Sequence, residues 1–238
     1  MTTNFYRQAA WFSSFTERYV LSVFYLVFAW AYFLSVRNVW PELPQHQAGD
    51  FAEFARDVSM LVLMLFEGLT LLIARRAAIT PRNAEELVIP VAASFFYLTY
   101  AMIDWLPPWL QNGVGPDSWQ QPLQMTGLVL DTVGTLISTW GVIYLGRSFG
   151  IFVAVRKVVL RGPYRYVRHP IYCGYLFMFG GLALTYFCPA AFILVAIHYW
   201  LFYYRARLEE TRLAEHSEEY REYRKRTGMV FPKLWARK

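Results

Sequence analysis

The sequence predicts an all-α, polytopic integral membrane bundle of about five to six transmembrane helices, the last two forming a hairpin, with a cytosolic C-terminal helix after them. Three observations predict it. Of 238 residues, 56% are hydrophobic and 19% aromatic, while only 17% are charged, against roughly 25% in a soluble domain. The apolar residues fall in long runs broken by short polar stretches, the pattern of membrane spans. Most Lys and Arg lie after residue 145, in short loops, as the positive-inside bias of cytoplasmic loops requires.

The elements follow in order. Asn4 to Tyr19 mixes aromatics with Arg and Glu and reads as an interfacial helix. Tyr19 to Val36 is a first span. Met60 to Ala74 is a second, begun near Phe54 and ended at Arg75-Arg76. Leu87 to Leu106 is a third, and Pro107-Pro108, Asn112-Gly113 and Gly115-Pro116 break the chain after it. Leu123 to Leu145 is a fourth. Ile171 to Tyr204 is mostly apolar and longer than the roughly 20 residues of one span. With Pro189 near its middle, it reads as a helical hairpin. Ser217 to Lys225 is a charged helix. The chain divides into N-terminal helices, 1–144, expected to shape an acceptor cavity, and a C-terminal region, 145–238.

Charge gives orientation. The stretches around Arg75–Arg82, Arg147–Arg168 and Arg221–Arg226 are basic, while the loops holding Glu42, Asp50 and Glu53, and Asp104 and Asp117, are not. The basic side, with both termini, is expected in the cytosol. A net charge of +6 distributed this way points to anionic lipid rather than nucleic acid. Cys173 and Cys188 lie in apolar segments without metal-ligand spacing, and no metal is expected.

The chemistry concentrates on either side of the hairpin. Before it stands "RGPYRYVRHPIY", with Tyr164, Arg168, His169, Pro170 and Tyr172; after it, Arg205 and Glu209 are spaced i, i+4 on one helix face. Taken singly, each has an ordinary explanation: positive-inside anchoring for Arg168, interfacial anchoring for the tyrosines, a solvated face for Glu209 and Glu210. Together, "RGPYRYVRHPIYCGYL" and "RARLEETRLAEHSEEYREYRKRTGMVFP" resemble the isoprenylcysteine carboxyl methyltransferase family and, more loosely, the membrane phospholipid methyltransferases.

The resemblance runs from Leu145 onward and implies S-adenosylmethionine as methyl donor. It implies that Lys157, Val158 and Val159 flank the donor's adenine, that Tyr164, His169, Pro170 and Tyr172 line the donor, that Glu209 contacts it, and that Arg205 serves the acceptor. Charge complementarity adds that Glu209 can pair with the donor's ammonium and that His169 or Arg168 can hold its carboxylate. A carboxylate acceptor needs no general base, so O-methyl transfer is favoured over N- or S-methyl transfer, with Arg205 as orienting residue; an amine would need His169 or Glu209 as base. The acceptor is expected to be a lipid, an isoprenoid-bearing compound or another small hydrophobic molecule. Two other readings stand beside this one. An NADPH-dependent membrane reductase of the sterol-reductase type would use Arg156, Lys157 and Arg161 on a 2′-phosphate, and a non-catalytic membrane protein with a basic cytosolic face would show no dependence on Glu209 and bind no nucleotide-like ligand.

Two acidic residues lie outside the motif, Glu67 in "LVLMLFEGLTLLIA" and Asp131 in "GLVLDTVGTLI". A charge so deep costs roughly 2.5–3.5 kcal/mol on insertion scales. They are expected to meet across the second and fourth helices, as a structural pair or as part of an acceptor cavity. His198 is expected to be a hydrogen-bonded packing residue.

Overall fold

The computed structural model describes residues 14–40 and 48–233. Most of the expected interfacial helix, and Glu42 with the Asp50 side chain, lie outside them. Helix α1 is Thr16–Val39, with a π-helical first part, Thr16–Leu21. Helix α2 is Ala48–Leu72, and α3 is Glu85–Trp105, which tightens to 3₁₀ from Phe96 onward. Helix α4 is Gln120–Leu145. After a long loop come α5, Pro170–Tyr186, α6, Pro189–His216, and α7, Glu218–Arg226. Only isolated β-bridges join loops among the described residues.

Among the described residues, three helices are long and apolar enough to cross a membrane: α1, α3 and the stretch Asp117–Ser148 containing α4. Their composition marks a membrane protein. The second apolar segment, part of α2, and the two segments after residue 170 fall short of that standard. Helix α5 has 17 residues, about 26 Å at the usual rise, slightly under the roughly 30 Å of a hydrocarbon core. Helix α6 carries its apolar half into a charged one.

Helix α4 shows the organisation most clearly. Val129, Val133, Leu136, Trp140 and Ile143 are exposed along one stripe. The opposite face buries Gly127, Asp131, Gly134, Ser138 and Gly141. Large apolar groups face outward and small or polar ones inward, as expected where lipid replaces water and close backbone approach drives packing. A Cβ at Gly134 would lie 2.4 Å from the Gly174 carbonyl oxygen and 2.5 Å from the Met178 nitrogen of α5. The Ser138 hydroxyl donates to the Ile171 carbonyl at 3.1 Å. Helix α5 is thereby fixed with its N-terminus at the polar end of the bundle.

Pro170 occupies the first turn of α5, where a missing N–H leaves no bond unmade. At the other end Phe187 adopts φ +40°, and Cys188 precedes Pro189 at the start of α6. Helices α5 and α6 then lie side by side in opposite directions. Tyr172 meets Glu209, the Tyr199 hydroxyl reaches the Leu176 carbonyl, and Phe179 packs on His198. His198 is fully buried and bonds the Ala93 carbonyl at 2.9 Å through Nε2, the packing role its position suggests.

Candidate functional site

The start of α5, the polar half of α6, the loop 148–159 and α7 enclose a cleft of about 1010 Å³ including its open mouth. Of the residues singled out in the sequence, Lys157, Val158, Val159, Tyr164, Arg168, His169, Tyr172, Arg205 and Glu209 all line it. Pro170 is buried but does not line it.

Arg205 is 4% exposed. Its guanidinium donates to Glu209 Oε1 at 2.9 Å, to Ser94 Oγ at 2.9 Å and to the Gly150 carbonyl at 3.3 Å, and sits 5.4 Å over the Tyr172 ring. The Tyr172 hydroxyl donates to Glu209 Oε1 at 2.6 Å. His169 stacks on Tyr172, with ring centroids 5.0 Å apart and planes nearly parallel. The i, i+4 spacing thus makes one cation–carboxylate unit with an aromatic face beneath it.

The adjacent glutamates divide their roles because successive helical residues point about 100° apart. Glu209 is partly open to the cleft. Glu210 is 2% exposed and turned toward the tail, where Arg168 Nε donates to Oε1 at 2.6 Å and Arg224 Nε lies 3.2 Å from Oε2. His169 Nε2 lies 3.3 Å from Glu210 Oε1. Burial alone would raise the Glu210 carboxyl pKa, but His169 and Arg168 outweigh it and hold it at about 2.

Arg168 therefore braces the tail. It also donates to the Thr227 and Arg224 carbonyls. Beside it, the Arg168 and His169 N–H groups bond the Gly228 and Met229 carbonyls, both at 2.9 Å. The Tyr223 hydroxyl bonds the Tyr164 and Val167 carbonyls. The tail is clasped over the loop, and Tyr220 and Tyr223 of α7 form part of the cleft wall.

A second cavity of about 880 Å³ lies among the apolar parts of the helices. Glu67 and Asp131 both line it, with Arg56, Tyr25, Tyr32 and Tyr97. Each acid has its own partner: the Tyr175 hydroxyl donates to Glu67 at 2.7 Å, and the Thr135 hydroxyl lies 3.4 Å from Asp131 Oδ1. Arg56 is paired with Asp57 at 2.9 Å. Ser94 and Tyr175 line both cavities, and Arg205 touches Ser94 at that junction. Among the described residues no cluster of His, Cys, Asp and Glu is arranged to hold a metal.

Ser94, Gly150 and the aromatic walls of the second cavity had no motif to mark them. Their signal is spatial: each meets a motif residue from far along the chain.

Residues 123–219 match the phospholipid methyltransferase family. The chain is similar to protein-S-isoprenylcysteine O-methyltransferase A of Arabidopsis thaliana, 32% identical over 82 residues, covering 32% of this chain and 42% of that protein. It is also similar to the cobalt-zinc-cadmium resistance protein CzcN of Cupriavidus metallidurans, 32% identical over 123 residues, covering 49% and 53%. The chain thus spans about half the length of the curated relatives it matches. The solved structure of a eukaryotic intramembrane Ras methyltransferase, the isoprenylcysteine carboxyl methyltransferase, aligns over 94% of this chain and 96% of that one at 16% identity. Its TM-score of 0.43 is too low to establish a shared fold. The match to the phospholipid methyltransferase family thus falls on residues 123–219, where most of the cleft's motif residues lie, and the chain is similar there to isoprenylcysteine methyltransferases.

Proposed function

We propose that the protein is an S-adenosylmethionine-dependent methyltransferase acting on a lipophilic acceptor at the cytosolic face of its membrane. One observation carries this reading: a charged cleft and an intramembrane cavity meet at Ser94 and Tyr175, with the buried Arg205 at the junction. A water-soluble donor and an apolar acceptor require such an arrangement.

The cleft's residues fit the donor. Glu209 faces the cleft and can take an ammonium. His169 lines the cleft and is placed for a carboxylate. Tyr164 and Tyr172 line the cleft, and aromatic groups beside a sulfonium attract it. Val158 and Val159 offer an apolar wall for adenine. When bound, S-adenosylmethionine supplies an electrophilic methyl on its sulfonium. The protein's own contribution is positioning, which can supply most of the acceleration of a bimolecular displacement. Arg205 would orient an acceptor carboxylate arriving from the second cavity, and such an acceptor needs no proton removed, which favours O-methyl transfer. Glu67 and Asp131 would contact the acceptor within the cavity. In this reading the cleft, the polar half of α6 and the tail face the cytosol, and α5 and the apolar half of α6 lie within the bilayer.

Calorimetry on purified protein in detergent tests this. S-adenosylmethionine and its demethylated product should bind wild type, and Glu209→Ala and His169→Ala should weaken both. Binding of NADPH instead would support the reductase. That outcome is disfavoured by Arg156, whose guanidinium is committed to Glu17 rather than turned to a phosphate. Binding of none of the three to folded protein would defeat the methyltransferase reading.

A further inference from the structure

One wall of the cleft is the unbroken strip Ser148 to Ala154. It has little regular structure of its own, so its shape depends on what its backbone is tied to. At one end the Phe149 N–H bonds the Gly146 carbonyl at 2.9 Å. At the other, the Val153 N–H reaches the Glu86 carbonyl at 3.2 Å, and Val155 exchanges bonds with Ala78 and Ile79. Between these ends, the Phe152 N–H donates at 2.7 Å to Oε1 of Glu17, which is 135 residues away at the start of α1.

Glu17 is 3% exposed, and its other oxygen is paired with the Arg156 guanidinium. That guanidinium also donates to the Arg75 carbonyl at 3.2 Å. It lies so close over Gly150 that a Cβ there would come within 2.1 Å of it. The Gly150 carbonyl, thus backed, accepts the bond from Arg205. A continuous line of contacts runs from Glu17 through Arg156 and Gly150 to Arg205 and Glu209. It begins outside the region of the family match.

We propose that Glu17 is a positioning residue for the cleft. Its carboxylate fixes the strip 148–154 by accepting the Phe152 N–H and anchoring Arg156, and so sets where Gly150 holds Arg205. This rests on the reading of the cleft as the donor site. The alternative is that the pair merely fastens α1 to the bundle. In that case any substitution that preserves the fold should preserve ligand binding.

The test compares two double variants in detergent, Glu17→Gln/Arg156→Met and Glu17→Leu/Arg156→Met. Both remove the buried charges together, a change that buried pairs often tolerate. They differ in whether residue 17 can accept the Phe152 N–H. Both should melt near wild type. S-adenosylmethionine should bind the Leu variant about tenfold more weakly than the Gln variant, the worth of one restored hydrogen bond to a buried donor. Both should bind more weakly than wild type. In wild type, hydrogen exchange of the peptide spanning Phe149–Val155 should slow when S-adenosylmethionine is added. Equal, wild-type affinity in both variants overturns the proposal. Should neither variant fold, exchange in that peptide unchanged by bound donor overturns it. Failure of wild type to bind S-adenosylmethionine at all defeats the donor-site reading, and this inference with it.

Discussion

Glu209 and Glu210 are neighbours in sequence with opposite duties. Glu210 is locked between Arg168, Arg224 and His169. Its pKa is lowered from 4.5 to about 2. A carboxyl whose folded value lies below its unfolded one contributes stability that is fully present above pH 4.5 and is lost as pH falls toward 2. The tail clasp should therefore loosen in that window, seen as faster proteolysis after the tail's Arg and Lys residues following acid exposure. Glu210→Gln should remove this pH dependence and cost roughly 3–5 kcal/mol at neutral pH, as for breaking a buried ion pair. Glu209→Gln should show the reverse balance: a smaller shift in melting temperature and about a tenfold loss of donor affinity. The sequence marks both residues through the EE motif. It cannot distinguish them, because their partners Arg168 and Tyr172 stand about forty positions away and only the helix's rotation assigns one to each.

Among the elements, the contact between α4 and α5 sets the cleft's geometry, because it holds Ile171, Tyr172 and the preceding His169 in place. Its tightness comes from glycines. Gly134 faces the backbone of Gly174 and Met178, and Gly127 faces Gly181. Backbone atoms cannot yield as a side-chain end can. Gly134→Val should thus prevent stable folding, measured as loss of the monodisperse species and of a cooperative melt in detergent. Leu136→Ala, on the exposed stripe of the same helix, should change the melting temperature by no more than a few degrees. The long apolar runs reveal the cores of the helices, since length and hydrophobicity are local properties, but not the polar ends by which α2 begins at Ala48, ahead of Phe54, and α6 runs on to His216, beyond Tyr204. What they do not reveal is how the helices pack or where they depart from ideal geometry. The 3₁₀ stretch Phe96–Trp105, the left-handed Phe187 and the π-helical start of α1 answer to tertiary contacts. Nor do glycines at 127, 134 and 141 look unusual in a membrane helix until the facing glycines of α5 are known.

Across the whole molecule, the C-terminal half supplies the motifs and the N-terminal half supplies Glu17, Ser94 and most of the second cavity. The cleft was legible because two compact motifs carry its charged residues. The second cavity was legible only in Glu67 and Asp131, whose charge stands out in apolar runs. The tyrosines and methionines around them resemble ordinary membrane residues. Both acids are buried yet line a cavity, and each has a neutral hydroxyl partner. This separates them from Arg56, already paired with Asp57. If the cavity receives the acceptor, changes there should act on the acceptor and spare the donor. Glu67→Gln keeps size and can keep the Tyr175 contact, and Asp131→Asn is equally conservative. Each should leave the S-adenosylmethionine affinity within about twofold of wild type, under the roughly 1.4 kcal/mol of a tenfold change. Transfer of label from methyl-tritiated S-adenosylmethionine into the organic extract of the protein's own membranes should fall by about tenfold or more, the effect of one lost polar contact at the acceptor. Unchanged transfer in both variants would make the acids structural, and a parallel loss of donor affinity would show that the two cavities do not act separately.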